Sequence, residues 1–406
     1  MDAPPHSILF FNRFYWPDVA ATGQMLTDLA EDLVVKGWQV TVVTSQSDYH
    51  AGAADLPISE EHNGVHIRRI VGTRFGRGRI AGRLLDYLTY FLGSAVQGVS
   101  RPRHDVYVAL SDPPFIISVA LLAGRIKRGK VVYWVQDLFP QVAAALDVMD
   151  SQGILYRALL AVSGWLNSHA ELVIVLGGQM AKSIAGAGAH GERIAVVQNW
   201  SDSRAITPMA SADNPFVAAN GLVGKFVVLY SGNAGRAHRF DALVYAARAL
   251  KGEPDIVFVF IGGGHRLPEV KAATAGLGNV RFLGYVDREV LAYSLSAASV
   301  SVVTEDTRVV GTLVPSKTYG ILASGRPVLF VGSPESDVAA VITSARCGVL
   351  VGEDDGEGVV NAIRQLKNDP VRLRELGANA RRASVDLYDR AHGTRNWEQA
   401  VLRSFT

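Results

Sequence analysis

Short apolar, β-branched runs recur along this chain, separated by amphipathic stretches long enough for helices, and that alternation predicts β-α-β units and parallel sheets. The first run is Ile8 to Phe11. An aromatic loop, Asn12 to Gln24, leads from it to an amphipathic helix that stops at Lys36-Gly37, and Trp38 to Thr44 is the second strand. Asp105 to Leu110, Val131 to Trp134, Glu171 to Leu176 and Ile194 to Val197 extend the same series. Residues 203–224 are rich in Ala, Asn, Pro and Ser and keep no period, which marks a connection. A second series follows: Phe226 to Tyr230, Ile256 to Ile261, Val280 to Leu283, Ala298 to Thr304 and Val328 to Val331. The expected fold is α/β, with two Rossmann-like, doubly wound parallel-sheet domains whose ligands lie beyond the carboxyl ends of the strands. The expected divisions are 1–202, a linker at 203–224, 225–375, and C-terminal helices at 376–406.

The length supports two cores, since 406 residues exceed what one core holds. A net charge of +2 gives no sign of nucleic-acid binding, and the single cysteine, Cys347, excludes a disulfide framework. The ten histidines show no metal-ligand spacing. Met1 to Ser7 lacks the regions of a signal peptide, and the most apolar long stretch, Ile80 to Val99, carries Arg83, Asp86 and Gln97, which argues against a membrane span. Charge changes the picture at one place. Between Arg68 and Arg103 stand eight arginines, at 68, 69, 74, 77, 79, 83, 101 and 103, against one acid, Asp86. They flank an apolar helix, Leu84 to Val99. Such a segment suits peripheral contact with an anionic membrane face; a core helix with basic loops is the other reading.

Candidate chemistry collects where strands end. The loop after the first strand carries Thr22 and Gly23 but no Gly-x-Gly-x-x-Gly, which argues against a dinucleotide fingerprint and against hydride transfer. Gln136-Asp137-Leu138-Phe139-Pro140 follows another strand, and Asp137 is placed either to touch substrate or to cap the next helix. In the second series, Ser231-Gly232-Asn233-Ala234-Gly235-Arg236-Ala237-His238-Arg239 combines turn glycines with cations suited to a diphosphate. Gly262-Gly263-Gly264 repeats the glycine turn. Val314-Pro315-Ser316-Lys317 reads as a helix start, where backbone N–H groups, a hydroxyl and an ammonium would seat a phosphate. An ordinary capped helix with a solvated lysine is the alternative.

Val314-Pro315-Ser316-Lys317 followed by Leu322-Ala323-Ser324-Gly325-Arg326-Pro327-Val328 resembles the donor-binding segment of retaining glycosyltransferases of family 4, which have the two-lobed GT-B fold with its domains facing across a cleft. Within that family the chain is most similar to bacterial surface-polysaccharide enzymes of the colanic acid and O-antigen fucosamine transferase kind. The resemblance implies a retaining sugar transfer, with deoxy-amino hexoses among the sugars, from a nucleotide diphosphate sugar, UDP favoured over GDP. The implied acceptor is a polyprenyl-diphosphate-linked glycan at the cytoplasmic membrane face, with no metal or other cofactor. It assigns catalysis to Asp137, Arg236 and Lys317. Donor binding falls to Thr22, Gly23, Gly232, Asn233, Gly235, Arg239, Pro315 and Ser316, with the base beside Gly284 and Tyr285. It also implies that the last helices, with Trp397, pack back on the first domain.

One departure stands out. The family's two glutamates, with seven residues between them, fall here on Thr312 and Gly320, neither of which is a carboxylate. Glu305 is the nearest acid that could reach the donor sugar. Two other classes stay open: a nonhydrolysing nucleotide-sugar epimerase of the same fold, and a catalytically silent nucleotide-binding subunit.

Overall fold

The computed structural model describes residues 7–18, 20–46, 56–73, 75 and 80–405, with positions 80 and 83 given by backbone alone. The chain forms two compact units, Met1–Gln198 with Gly393–Thr406, and Asn199–His392.

The first unit holds strands β1 (Ser7–Phe11), β2 (Gln39–Ser45), β3 (Ser59–His62), β4 (Val65–Ile70), β5 (Val106–Leu110), β6 (Lys130–Trp134), β7 (Leu172–Val175) and β8 (Ile194–Val196). They lie in the order β3-β4-β2-β1-β5-β6-β7-β8. All neighbours are parallel except β3 and β4. The sheet centre is buried on both faces, which is why β5 reads as an unbroken apolar run rather than an alternation. Trp397, fully buried, completes this core: its ring lies 5.8 Å from Phe10 and 5.7 Å from Trp134. The same helix, Arg390–Arg403, sends Glu398 to Lys36 at 2.7 Å and to the Trp38 indole N–H at 2.9 Å.

The second unit holds β9 (Phe226–Ser231), β10 (Ile256–Ile261), β11 (Val280–Leu283), β12 (Val300–Thr304), β13 (Val328–Val331) and β14 (Gly348–Val351). All are parallel, in the order β11-β10-β9-β12-β13-β14.

Several sequence expectations are corrected. The stretch 203–224 is not a free linker: Phe216, Val217 and Leu222 sit in a core cluster of the second unit, and Arg381 donates to the Ser203 and Ile206 carbonyls. The helix Pro370–Asp386 stays with the second unit, and the first unit takes up the chain again at Gly393. The hairpin β3-β4 was not expected. Its turn, Asn63-Gly64, has both residues at positive φ, the two-residue turn that Asn-Gly specifies. Strand β14 was likewise missed.

Candidate active site

In the second sheet β10 flanks β9 on one side and β12 on the other, so the loops leaving β9 and β12 part at their carboxyl ends and open a crevice. Two glycine turns line it. Gly262 has φ +117°, and a β-carbon there would lie 2.4 Å from the Gly232 carbonyl oxygen; at Gly264, φ +126°, it would lie 2.5 Å from Asn233 Oδ1. Only glycine lets the two loops meet this closely. The Gly232 N–H donates to the Ile261 carbonyl at 2.9 Å and the Ala234 N–H to the Gly263 carbonyl at 2.7 Å, so the turns hold one another.

Lys317 reaches into this seat from the first residue of the helix Lys317–Ala323. Its ammonium donates to Tyr230 Oη at 2.5 Å and to the Asn233 carbonyl at 3.4 Å, and stands 4.1 Å over the Tyr230 ring. His238 Nε2 lies 3.3 Å away. His238 Nδ1 is 2.6 Å from the Thr304 carbonyl, which only accepts, so Nδ1 carries the ring proton and Nε2 presents a lone pair to Lys317. Burial lowers the Lys317 pKa to about 7. Burial, then the Lys317 charge, lowers His238 to about 3, against the bond to Thr304. The imidazole is therefore neutral at physiological pH. His238 was not singled out from sequence, because nothing in its spacing marks it; its partners are 66 and 79 residues away.

The other expected donor-site residues divide. Gly232, Asn233 and Lys317 are brought together. Ser316, expected in the first turn of the Lys317 helix, is its N-cap, and Pro315, expected to start the helix, lies ahead of the cap. Gly284 and Tyr285 leave β11 with both residues exposed, and the Tyr285 ring edge lies against Gly263, 2.9 Å from where a β-carbon would be. Gly235 is followed by Arg236, which is exposed. Arg239 points elsewhere, to the carboxylates of Asp241 at 3.2 Å, Asp354 at 3.1 Å and Glu353 at 3.4 Å, which neutralise it.

Thr312 donates its hydroxyl to the Val309 carbonyl at 2.7 Å, and Gly320 lies within the Lys317 helix, so neither offers a polar side chain to the seat. Glu305 follows β12 with 1% exposure. Burial raises its pKa to about 7, against a hydrogen bond with Ser336; the charges of Asp337, Glu353 and Asp306 push it further up. Its Oε2 has no hydrogen-bond partner among the described residues. The segment is fastened to the glycine loop by Asp306 N–H to the Ala237 carbonyl at 2.9 Å. Also among the described residues, no three His, Cys, Asp or Glu side chains are grouped to hold a metal ion.

In the first unit the corresponding reversal lies between β1 and β5. Thr22 and Gly23 belong to the first turn of the helix Ala21–Val35, not to a loop as expected, and a β-carbon on Gly23 would lie 3.2 Å from the Phe14 carbonyl carbon. The Ser111 hydroxyl at the end of β5 accepts the Gln136 and Asp137 N–H groups, both at 3.0 Å, and so fixes the turn that carries Asp137. The Asp137 side chain reaches solvent, yet desolvation by the surrounding protein and then the Asp112 charge raise its pKa to about 6.

The first unit also exposes apolar helix faces. Leu84, Leu88, Leu92 and Val96 are 53–62% exposed on the helix Ile80–Ser100. Leu122 and Ile126 are exposed on the neighbouring helix Ile117–Lys127, and Ile154, Leu155, Val162 and Trp165 on the helix Ile154–His169, which packs against it. Of the basic run, Arg69 is buried and paired with Glu60, and Arg68 donates to Ser59, so these two bind within the fold. Arg101 donates to Gln97 at 2.8 Å, and Arg103 is exposed. Arg74, Arg77 and Arg79, and the side chain of Arg83, lie outside the described residues. No described helix is long and apolar enough to cross a membrane.

Comparison with known proteins matches both units. Residues 21–200 fit the family model of the glycosyl transferase 4-like domain and residues 225–369 that of glycosyl transferases group 1. The chain is 26% identical to WbjE of Pseudomonas aeruginosa, a glycosyltransferase by name, over 72% of this chain and 74% of that one. It is 22% identical to WcaI of Escherichia coli K12, by name a colanic acid biosynthesis glycosyl transferase, over 88% and 91%. Among solved structures it superposes on sucrose-phosphate synthase of Thermosynechococcus elongatus with a TM-score of 0.78 at 18% identity, covering 98% of this chain and 99% of that one. Anabaena HepE in complex with UDP and glucose superposes with a TM-score of 0.74 at 17% identity, over 98% and 99%. The chain is therefore a glycosyltransferase of the GT-B fold, with a glycosyl transferase 4-like domain followed by a glycosyl transferases group 1 domain.

Proposed function

We propose that this enzyme transfers a sugar, with retention, from a UDP-sugar to a polyprenyl-diphosphate-linked glycan in bacterial surface-polysaccharide synthesis. The observation that carries the reading is the Lys317 ammonium held beneath the Gly232-Asn233 turn. There a cation and close backbone face the crevice where a leaving diphosphate would develop charge. Arg236, exposed on the same loop, would add a second cation, whereas Arg239 is already neutralised. The UDP complex of the structurally similar HepE supports the choice of nucleotide. Because cationic side chains supply the charge stabilisation, transfer requires no divalent metal. Asp137, whose pKa is raised, is the first unit's candidate for a role in transfer.

The exposed apolar helix faces of the first unit, accompanied by Arg103, Arg125, Lys127, Arg128 and Arg157, support peripheral attachment to an anionic membrane at the cytoplasmic face, where a lipid-linked acceptor resides. A second reading, nucleotide binding without turnover, is favoured by Thr312 and Gly320, which supply no carboxylate.

The deciding experiment incubates the purified protein with a panel of UDP- and GDP-sugars, with and without EDTA and a polyprenyl-diphosphate glycan. Transfer that needs the acceptor, survives EDTA and disappears in Lys317→Ala is the expected result. Conversion of donor without acceptor would make it an epimerase, and binding without any product would make it a silent subunit.

A further inference from the structure

A cavity of about 450 Å³ opens in the second unit at the amino ends of its strands, the edge opposite the glycine turns. Lys225 precedes β9, Ser299 precedes β12 and Pro327 precedes β13, and all three line it. With about 3.3 Å of rise per residue, a strand of this length sets the two edges roughly 15–20 Å apart. The volume falls in the range of small-molecule sites, about 300–1,000 Å³.

The charge of the lining is one-sided. Lys225, Arg326, Arg374 and Arg381 all contribute, and no carboxylate does. The bonds that Arg326, Arg381 and Lys225 make go to backbone carbonyls. Arg326 Nη2 donates to Met209 at 2.5 Å and Ser296 at 2.6 Å. Arg381 donates to Ile206, Ala323 and Ser203 at 2.8–2.9 Å, and Lys225 to Pro254 at 2.9 Å. Carbonyl dipoles satisfy N–H groups but leave the net charge in place. Asp255, which feels the Lys225 charge, is itself paired with Lys367 at 2.7 Å. Arg326 Nε is buried with no partner among the described residues, and burial lowers the Arg326 pKa, a sign that its charge is uncompensated.

Gly377 and Ala378 line the cavity from the helix Pro370–Asp386, and at Gly377 this helix packs so closely on Gly325 that a β-carbon would lie 2.6 Å from the Gly325 carbonyl oxygen. Leu373 and Pro327 give the walls an apolar side.

We propose that this cavity binds a phosphorylated small molecule of hexose-phosphate size, its phosphate among Arg326, Arg374 and Arg381 and its body against Leu373, at a site independent of the crevice that holds Lys317. Guanidinium forks match phosphate oxygens in geometry and charge, and nothing else in the lining neutralises them.

The test is calorimetric titration of inorganic pyrophosphate and of glucose 1-phosphate, at fixed ionic strength, into the wild-type chain, Arg374→Glu/Lys225→Glu and Lys317→Ala. Arg374 is exposed and Lys225 makes a single peripheral bond, so the double variant is expected to keep its fold, checked by circular dichroism melting. At least a tenfold loss of affinity is expected in the double variant, since charge-assisted contacts are each worth roughly that much. Lys317→Ala should retain this binding. Unchanged affinity in the double variant, loss confined to Lys317→Ala, or no binding of either probe at millimolar concentration would each overturn the proposal.

Discussion

His238 Nε2 lies 3.3 Å from the Lys317 ammonium, while the opposite nitrogen of the same ring gives its proton to the Thr304 carbonyl at 2.6 Å. That second bond fixes which nitrogen faces the lysine. The ring thus acts as an acceptor that aims the ammonium, and its role is separable from packing. Gln keeps an acceptor and Phe keeps only the bulk. His238→Phe should weaken nucleoside diphosphate binding about tenfold, with Gln restoring most of it. Calorimetry at pH 7 reads both; equal losses would reduce His238 to a space-filler.

Lys317 has a folded pKa of about 7 against an ordinary 10.5. Between those values the unfolded chain holds a proton that the folded chain has released, so this group makes the protein more stable as pH rises from 7 to 10.5, and its penalty is constant below 7. A bound diphosphate reverses the balance by favouring the charged form. Donor binding at pH 8 should therefore take up a proton, visible as a binding enthalpy that depends on the buffer's ionisation enthalpy. Lys317→Met should abolish the uptake and cost roughly 10–100-fold in affinity.

Glu305 shifts the other way. Its folded pKa of about 7 lies above the ordinary 4.5, so the folded chain binds the extra proton between these values, and this group's contribution to stability falls as pH rises from 4.5 to 7. Above 7 the full penalty of a buried carboxylate remains. Glu305→Gln should stabilise the protein at pH 8 by up to about 3 kcal/mol and by little at pH 4.5. If Glu305 also contacts the donor sugar, the same variant loses turnover while melting higher, and paired melting and transfer assays distinguish the two effects.

Gly262→Ala meets two obstacles, a φ of +117° and the Gly232 carbonyl oxygen at 2.4 Å. The loop contact has to open, at a cost of about 2–4 kcal/mol. Because the clash lies in the second unit, nucleotide binding should fall sharply and the second unit should unfold at lower urea, which intrinsic fluorescence and ligand titration can follow.

The strands around the crevice of the second unit were legible because parallel strands buried on both faces must be continuously apolar, and Ile256 to Ile261 could be read to the residue. The hairpin at β3-β4 escaped because Glu60, Glu61, His66 and Arg68 give it the look of a polar loop; Asn63-Gly64 was the overlooked signal. The segment 203–224 misled for the opposite reason. It is held by scattered anchors, such as Asn214 donating to the Tyr293 carbonyl at 2.8 Å, and by no periodic face. In the crevice, glycines and Lys317 could be chosen from local pattern. The diversion of Arg239 to Glu353 and Asp354 could not, since those carboxylates belong to a different strand-to-helix turn. Glu305 stood out only as an acid after a strand; its burial and orphaned oxygen are products of the packing of three loops.

Trp397 closes the core of the first unit between Phe10 and Trp134, yet it is translated after every residue of the second unit. On the ribosome the unit that starts first is thus completed last, waiting with an unfilled place in its interior while the second unit already has all its strands. A chain broken off before Gly393 would lose its N-terminal half first, although every residue missing from it lies at the other end of the sequence.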